Sequence, residues 1–154
     1  MKYVFLLESA KSLLQDSPNN LSLLSNASAF INDNIDNLNW VGFYLFDGSK
    51  LTLGPFQGKV ACEIIHPNRG VCGTAYSTKQ VQVVKDVHEI DNHIACDPLS
   101  SSETVIPILN NGQVWGVFDL DSPVINRFDE ELVDFLIKFA EMLTKFIDFN
   151  KSLI

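Results

Sequence analysis

Three cysteines, Cys62, Cys72 and Cys96, fall in the middle third of a 154-residue chain, and the carboxylates Asp97, Glu103, Asp119 and Asp121 follow them. A thiol can give two electrons to a substrate and then be restored, passing through sulfenic acid and disulfide. Because a free cysteine is only about 3% thiolate at pH 7, a reacting one needs amides, a cation or a hydrogen-bond donor beside it. Cys96 lies in a polar stretch between His93 and Asp97, the placement hardest to explain as simple packing. His88 and His93 are its candidate helpers in sequence, and Asp97 opposes its ionisation. Cys62, in an expected strand, and Cys72, between glycines, also suit the role of small buried hydrophobe.

The acids divide into two sets. Asp119 and Asp121, two apart on an expected strand, point to one face and can flank an ammonium group; alternating with Val117, Phe118 and Leu120, they read equally as a solvent face. Glu103, beside Ser100-Ser101-Ser102, is either a solvated turn residue or, partly desolvated, an acid that protonates a poor electrophile. Trp40 and Tyr44, four apart on a strand, share a face and either enclose an apolar group or pack as ordinary strand aromatics. Arg69 and loop amides are candidate donors to a carboxylate, and His66 reads as surface.

The elements that must position these residues follow from periodicity. Tyr3, Leu6, Leu7, Ala10, Leu13 and Leu14 have helical spacing, stopped by Ser17-Pro18-Asn19-Asn20; Leu21, Leu24, Ala27, Ile31, Ile35 and Leu38 mark a second helix. Strands are predicted over 40–46, 51–53, 60–65, 81–84, 104–109 and 114–120, with Asp47-Gly48 and Asn110-Asn111-Gly112 as hairpin turns. A final helix starts near Asp129, with Asp129, Glu130 and Glu131 suited to its N-terminus and a stripe from Leu132 to Ile147. The pattern is α+β: one domain over residues 1–154, with a central, mostly antiparallel sheet and N- and C-terminal helices packed on one face. The segment 67–75, with glycines on both sides of Cys72, leads from a strand into a short helix; 88–102 is a long loop of the kind that carries function.

Composition narrows the partners. A net charge of −8 repels phosphate backbones and anionic lipid, arguing against nucleic acid and membrane surfaces and for a small cationic or zwitterionic ligand. Glu8 interrupts the only N-terminal apolar run, and no stretch approaches the roughly 20 residues of a membrane span. The expected location is cytoplasmic, where a disulfide is more often catalytic than structural. The Phe-rich terminal helix, with Phe135, Phe139, Phe146 and Phe149, suggests surplus apolar surface for a homodimer.

Taken in order, Trp40-Val41-Gly42-Phe43-Tyr44, Gly54-Pro55-Phe56-Gln57-Gly58 with Ala61-Cys62, Gly70-Val71-Cys72-Gly73-Thr74-Ala75, His93-Ile94-Ala95-Cys96-Asp97, Ser102-Glu103 and Gly116-Val117-Phe118-Asp119-Leu120-Asp121-Ser122 resemble the free methionine-(R)-sulfoxide reductases, single-domain enzymes of the GAF fold. The resemblance implies that Cys96 attacks the sulfoxide sulfur, that Cys62 is the main resolving thiol and that Cys72 is an alternative or relay partner. It further implies that Glu103, Asp119 and Asp121 hold and polarise the substrate, that Trp40 and Tyr44 enclose its methyl-sulfur end, and that thioredoxin is the reductant, with no metal or other cofactor. The chain departs from the family pattern at Asn68, where a glycine is expected, and at Asp91-Asn92, in place of Pro-Gly.

Three other readings use the same residues. Cys62, Cys72, Cys96 and His93 could form a Cys3His zinc site, although nine and twenty-three intervening residues match no familiar ligand rhythm. A sensory GAF module would bind a small molecule without consuming it. A thiol peroxidase or redox sensor would run the same cysteine chemistry on peroxide.

Overall fold

The computed structural model describes residues 3–94 and 96–154; Met1, Lys2 and Ala95 lie outside the described residues. Two largely buried strands, β1 (Trp40–Phe46) and β6 (Gln113–Ser122), run side by side at the sheet centre. Around them stand β2 (Leu51–Gly58), β3 (Ile64–Ile65), β4 (Gln82–Val84) and β5 (Ser102–Asn110), in the order β3-β2-β1-β6-β5-β4 with every pair antiparallel.

Strand alternation sorts side chains onto two unlike faces. Val41, Phe43 and Leu45 of β1, Ile106 and Ile108 of β5, and Phe118 and Leu120 of β6 meet α1 (Val4–Leu14), α2 (Asn20–Asn34) and α4 (Glu130–Thr144) in the larger core. Trp40, Tyr44, Val105 and Val117 go the other way, under α3 (Gly70–Thr78), with Val71, Cys72 and Ala75. The same period of two sends Glu103, Asp119 and Asp121 to the α3 face, since Asp119 and Asp121 share parity with Val117, and Glu103 with Val105.

Two of the three helices on the large-core face, α2 and α4, begin at side-chain caps. Asn19 accepts a hydrogen bond from Ser22 N at 2.8 Å and Asp129 one from Leu132 N at 2.9 Å, with Glu130 and Glu131 in the first turn of α4. The phenylalanines expected to offer surplus surface are used inside the chain: Phe135 and Phe139 are buried, and Phe146 and Phe149 pack against the core. No helix among the described residues is long and apolar enough to cross a membrane.

Several boundaries differ from expectation for local reasons. The second helix ends at Asn34, because Ile35 is extended and Asn37 takes φ +58°. Of the strand expected over 60–65 only Ile64–Ile65 pairs; Cys62 therefore sits in irregular chain. β2 instead runs on through Pro55, which the shift of register opposite Gly42 and Tyr44 accommodates as a bulge.

Candidate active site

One wall of the cavity on the α3 face is aromatic. Trp40 and Tyr44 project from β1 on the same side and stack with ring centroids 5.8 Å apart, and Phe56 stacks on Trp40 at 5.2 Å. The Tyr44 hydroxyl donates to the Cys62 carbonyl at 2.9 Å, tying the wall to the segment that carries Cys62. Burial, and then the nearby acids, push the Tyr44 pKa far up, so it stays a donor.

The floor is acidic. Glu103 on β5 and Asp121 on β6 are directly paired across strands, and Asp119 is one step further along β6 on the same face. Glu103 and Asp119 are 6% and 5% exposed, so neither the solvated-turn reading of Glu103 nor the solvent-face reading of Asp119 applies. Atoms of Cys72, Glu103 and Asp119 lie within 4.8 Å of one another, and Glu103 is within hydrogen-bonding reach of both Asp119 and Asp121. Two carboxylates can share a hydrogen bond only if one keeps a proton. Burial pushes all three pKa values well up, and the negative charge of neighbouring acids adds to it. Among the described residues, the buried Asp119 Oδ1 and Asp121 Oδ1 have no hydrogen-bond partner, two acceptors that suit an ammonium or a protonated ligand group.

The cysteines separate by position. Cys62 and Cys96 form a disulfide with Cα atoms 5.5 Å apart, bridging the irregular chain before β3 to the 88–101 loop, and Cys96 lines the cavity. Cys72, in the first turn of α3, is a free thiol, 3% exposed. Burial, then the charge of Asp119 and Glu103, raises its pKa far above the usual thiol value, and it lies within hydrogen-bonding reach of Asp119. The Cys3His set is not assembled, because two of its three sulfurs are bonded to each other.

The histidines divide likewise. His88, expected as a helper of Cys96, pairs instead with Asp86 at 2.8 Å on the exterior, whereas His93 lines the cavity with Nε2 3.5 Å from Glu103 Oε1. Burial lowers the His93 pKa, favouring the neutral ring. His66 is exposed, as expected, and Arg69 lines the cavity.

Both loop departures have a structural account. Asn68 takes φ +63°, in the left-handed region that asparagine tolerates best after glycine, and thus does the backbone work of the expected glycine. Asn92 Nδ2 donates to the Asn68 carbonyl at 2.9 Å, so one departure clasps the other and joins the two loops. Pattern reading also missed Asn39, whose Nδ2 donates to Asp97 Oδ2 at 2.9 Å and Ser100 Oγ at 3.1 Å. Its only sequence signal is a position one residue before β1.

The acidic floor has a thermodynamic signature. The folded pKa values of Glu103, Asp119 and Asp121 lie above their unfolded values, so the folded chain keeps protons that the unfolded chain releases. The stability they contribute is complete below about pH 4 and is lost as pH rises through the folded values. His93 opposes this trend below about pH 6.5, as a single group against three. Melting temperature of the ligand-free protein is expected to fall between pH 5 and pH 8, and Asp119→Asn to flatten that fall; scanning calorimetry across the range measures both. A variant as steep as the parent would mean that Asp119 is already ionised in the fold.

These features define the class: a GAF-domain model matches residues 21–147 of the chain. Within it, the chain is 50% identical over 111 residues to the free methionine-R-sulfoxide reductase of Escherichia coli, covering 72% of this chain and 67% of that protein. It is 45% identical over 148 residues to the Saccharomyces cerevisiae enzyme of the same name, covering 91% of this chain and 82% of that one. The structure of the Staphylococcus aureus fRMsr in complex with substrate superposes with a TM-score of 0.90 at 44% identity, over 95% of each chain. The chain belongs to the free methionine-R-sulfoxide reductase family.

Proposed function

We propose that the protein reduces free L-methionine (R)-S-oxide to L-methionine, with Cys96 as nucleophile, Cys62 as resolving thiol and thioredoxin as final reductant. The observation that carries this reading is the Cys62–Cys96 disulfide at the edge of a cavity floored by Glu103, Asp119 and Asp121. The ammonium of the free amino acid pairs with Asp121 and Asp119; a peptide-bound residue lacks that charge. Trp40 and Tyr44 enclose the methyl-sulfur end. Glu103, kept protonated by burial, donates to the sulfoxide oxygen, and the Cys96 thiolate attacks the sulfur.

Oxygen passes to Cys96, giving a sulfenic acid as methionine leaves; the Cys62 thiol then condenses with it, releasing water and forming the disulfide. The Cα separation of 5.5 Å lies in the range a disulfide requires. Cys72, buried and held as a thiol beside Asp119, fits a relay or positioning part better than first resolution.

The test is consumption of the R and S forms of free methionine sulfoxide and of peroxide, each with thioredoxin recycling. The reductase reading expects methionine from the R form alone; peroxide consumption alone would make the protein a thiol peroxidase, and binding without turnover a sensor. Cys62→Ser is expected to release about one methionine per chain and then stall in thioredoxin-driven turnover, as rapid-quench measurement would show. Undiminished steady-state turnover would transfer the resolving role to Cys72.

A further inference from the structure

Beside the substrate cavity, Gly58, Lys59 and Val60 line a groove together with Cys96, Asp97 and Pro98. We propose that this groove docks a dithiol protein that presents an apolar surface and a carboxylate beside its reactive thiol. The proposal rests on the reductase reading and adds the surface through which the enzyme is recycled.

Exposed aliphatic side chains stand at the groove. Val60, which also borders the substrate cavity, is 90% exposed, and Leu99, next after Pro98, is 51% exposed; these large aliphatic side chains lie two and three residues along the chain from the bonded cysteines. The backbone holds Val60 outward: β2 ends at Gly58 with φ +144°, and a Cβ there would approach the Asn39 carbonyl at 2.9 Å and the Trp40 ring. Lys59-Val60 then leaves the sheet without strand pairing.

Charge specifies the occupant further. The Asp97 carboxylate is engaged within the protein: Asn39 Nδ2 donates to its Oδ2 and Leu99 N to its Oδ1, each at 2.9 Å, and the residue is buried. Lys59 is therefore the charged side chain of this lining that is exposed to a partner, a positive point on a chain of net charge −8. A carboxylate on the partner pairs with it and steers encounter. A small anionic thiol would satisfy Lys59 but leave Val60 and Leu99 unmatched.

Cys96 lines both this groove and the cavity, as do Val60 and Asp97, so the groove adjoins the cavity mouth and a reductant seated in it meets the Cys96 end of the disulfide. The partner's thiolate attacks the Cys96 sulfur, the Cys62–Cys96 bond breaks, and Cys62 leaves as a thiolate that takes a proton from solvent. The partner's second thiol then displaces Cys96, so the partner leaves as a disulfide, having given two electrons and two protons.

Recycling by thioredoxin, kept reduced by its reductase, is compared with recycling by dithiothreitol, which needs no docking surface, in the parent and in Lys59→Glu and Leu99→Asp. Both positions are on the surface, and neither lines the substrate cavity. The KM for thioredoxin is expected to rise about tenfold in each variant, while dithiothreitol-driven turnover and the methionine formed in a single turnover stay unchanged. An unchanged KM for thioredoxin in both variants overturns the groove. A parent protein that forms no methionine even with dithiothreitol would instead refute the reductase reading.

Discussion

Cys96→Ser is expected to abolish turnover of free methionine (R)-S-oxide, lowering kcat by more than about 10³-fold. A serine hydroxyl cannot accept the sulfoxide oxygen and be regenerated by a neighbouring thiol, so the loss is of the reaction itself rather than of one contact. Cys96 is proposed as the sulfur concerned because it lines the cavity and bonds Cys62, whereas Cys72 is enclosed in the floor with its pKa raised by burial and by acids. Substrate binding should survive, since the proposed ammonium site and aromatic wall lie on β1 and β6 rather than on the loop. Calorimetric titration of the variant checks binding, and methionine release checks chemistry. Retained steady-state activity would place the nucleophile elsewhere.

Glu103→Gln is the second large effect expected, a fall in kcat of about 10²–10⁴-fold, the range for losing a positioned general acid. Glutamine keeps the shape and a donor but has no proton to transfer, so KM should change much less than kcat. The acidity available to Glu103 is environmental: desolvation raises its pKa, Asp121 opposite it raises it further, and His93 sits 3.5 Å away as a neutral ring through which a proton can return. The rate of the parent should therefore decline toward alkaline pH as Glu103 ionises, and the variant should lose that limb. Asp121→Asn provides the contrast: weakening an ammonium partner raises KM chiefly, and a pH profile of kcat resembling the parent's distinguishes the two roles. A Glu103→Gln variant with the parent's kcat would remove Glu103 from the chemistry.

The sequence carried the alternation and the caps clearly, because both are local. Asp119 and Asp121 had to share a face once the strand existed, and Asp129 had to begin the last helix once Leu132 opened its stripe. What pattern could not decide was whether the acidic face met water or protein, since alternation looks the same in either case. The deciding cover comes from far along the chain: α3 and the 88–101 loop close over β5 and β6. The Cys62–Cys96 pairing spans 34 residues and joins two irregular segments, so no periodicity encodes it. Val60–Ile65 misled for a related reason: its β-branched residues read as strand, but most of the segment leaves the sheet, and Val60 faces outward. His88 and His93 were equivalent in sequence, and only the fold sends one to Asp86 and the other to Glu103.

The most direct measurement is an anaerobic single turnover: reduced protein is mixed with excess free methionine (R)-S-oxide, and methionine release and cysteine linkage are followed together by quenching, alkylation and peptide mass mapping. One methionine per chain should form in step with a Cys62–Cys96 linkage, with Cys72 recovered as a free thiol. Methionine formed with Cys62 and Cys96 still reduced, or in step with a linkage to Cys72, would contradict the arrangement of sulfurs and acids proposed for this cavity.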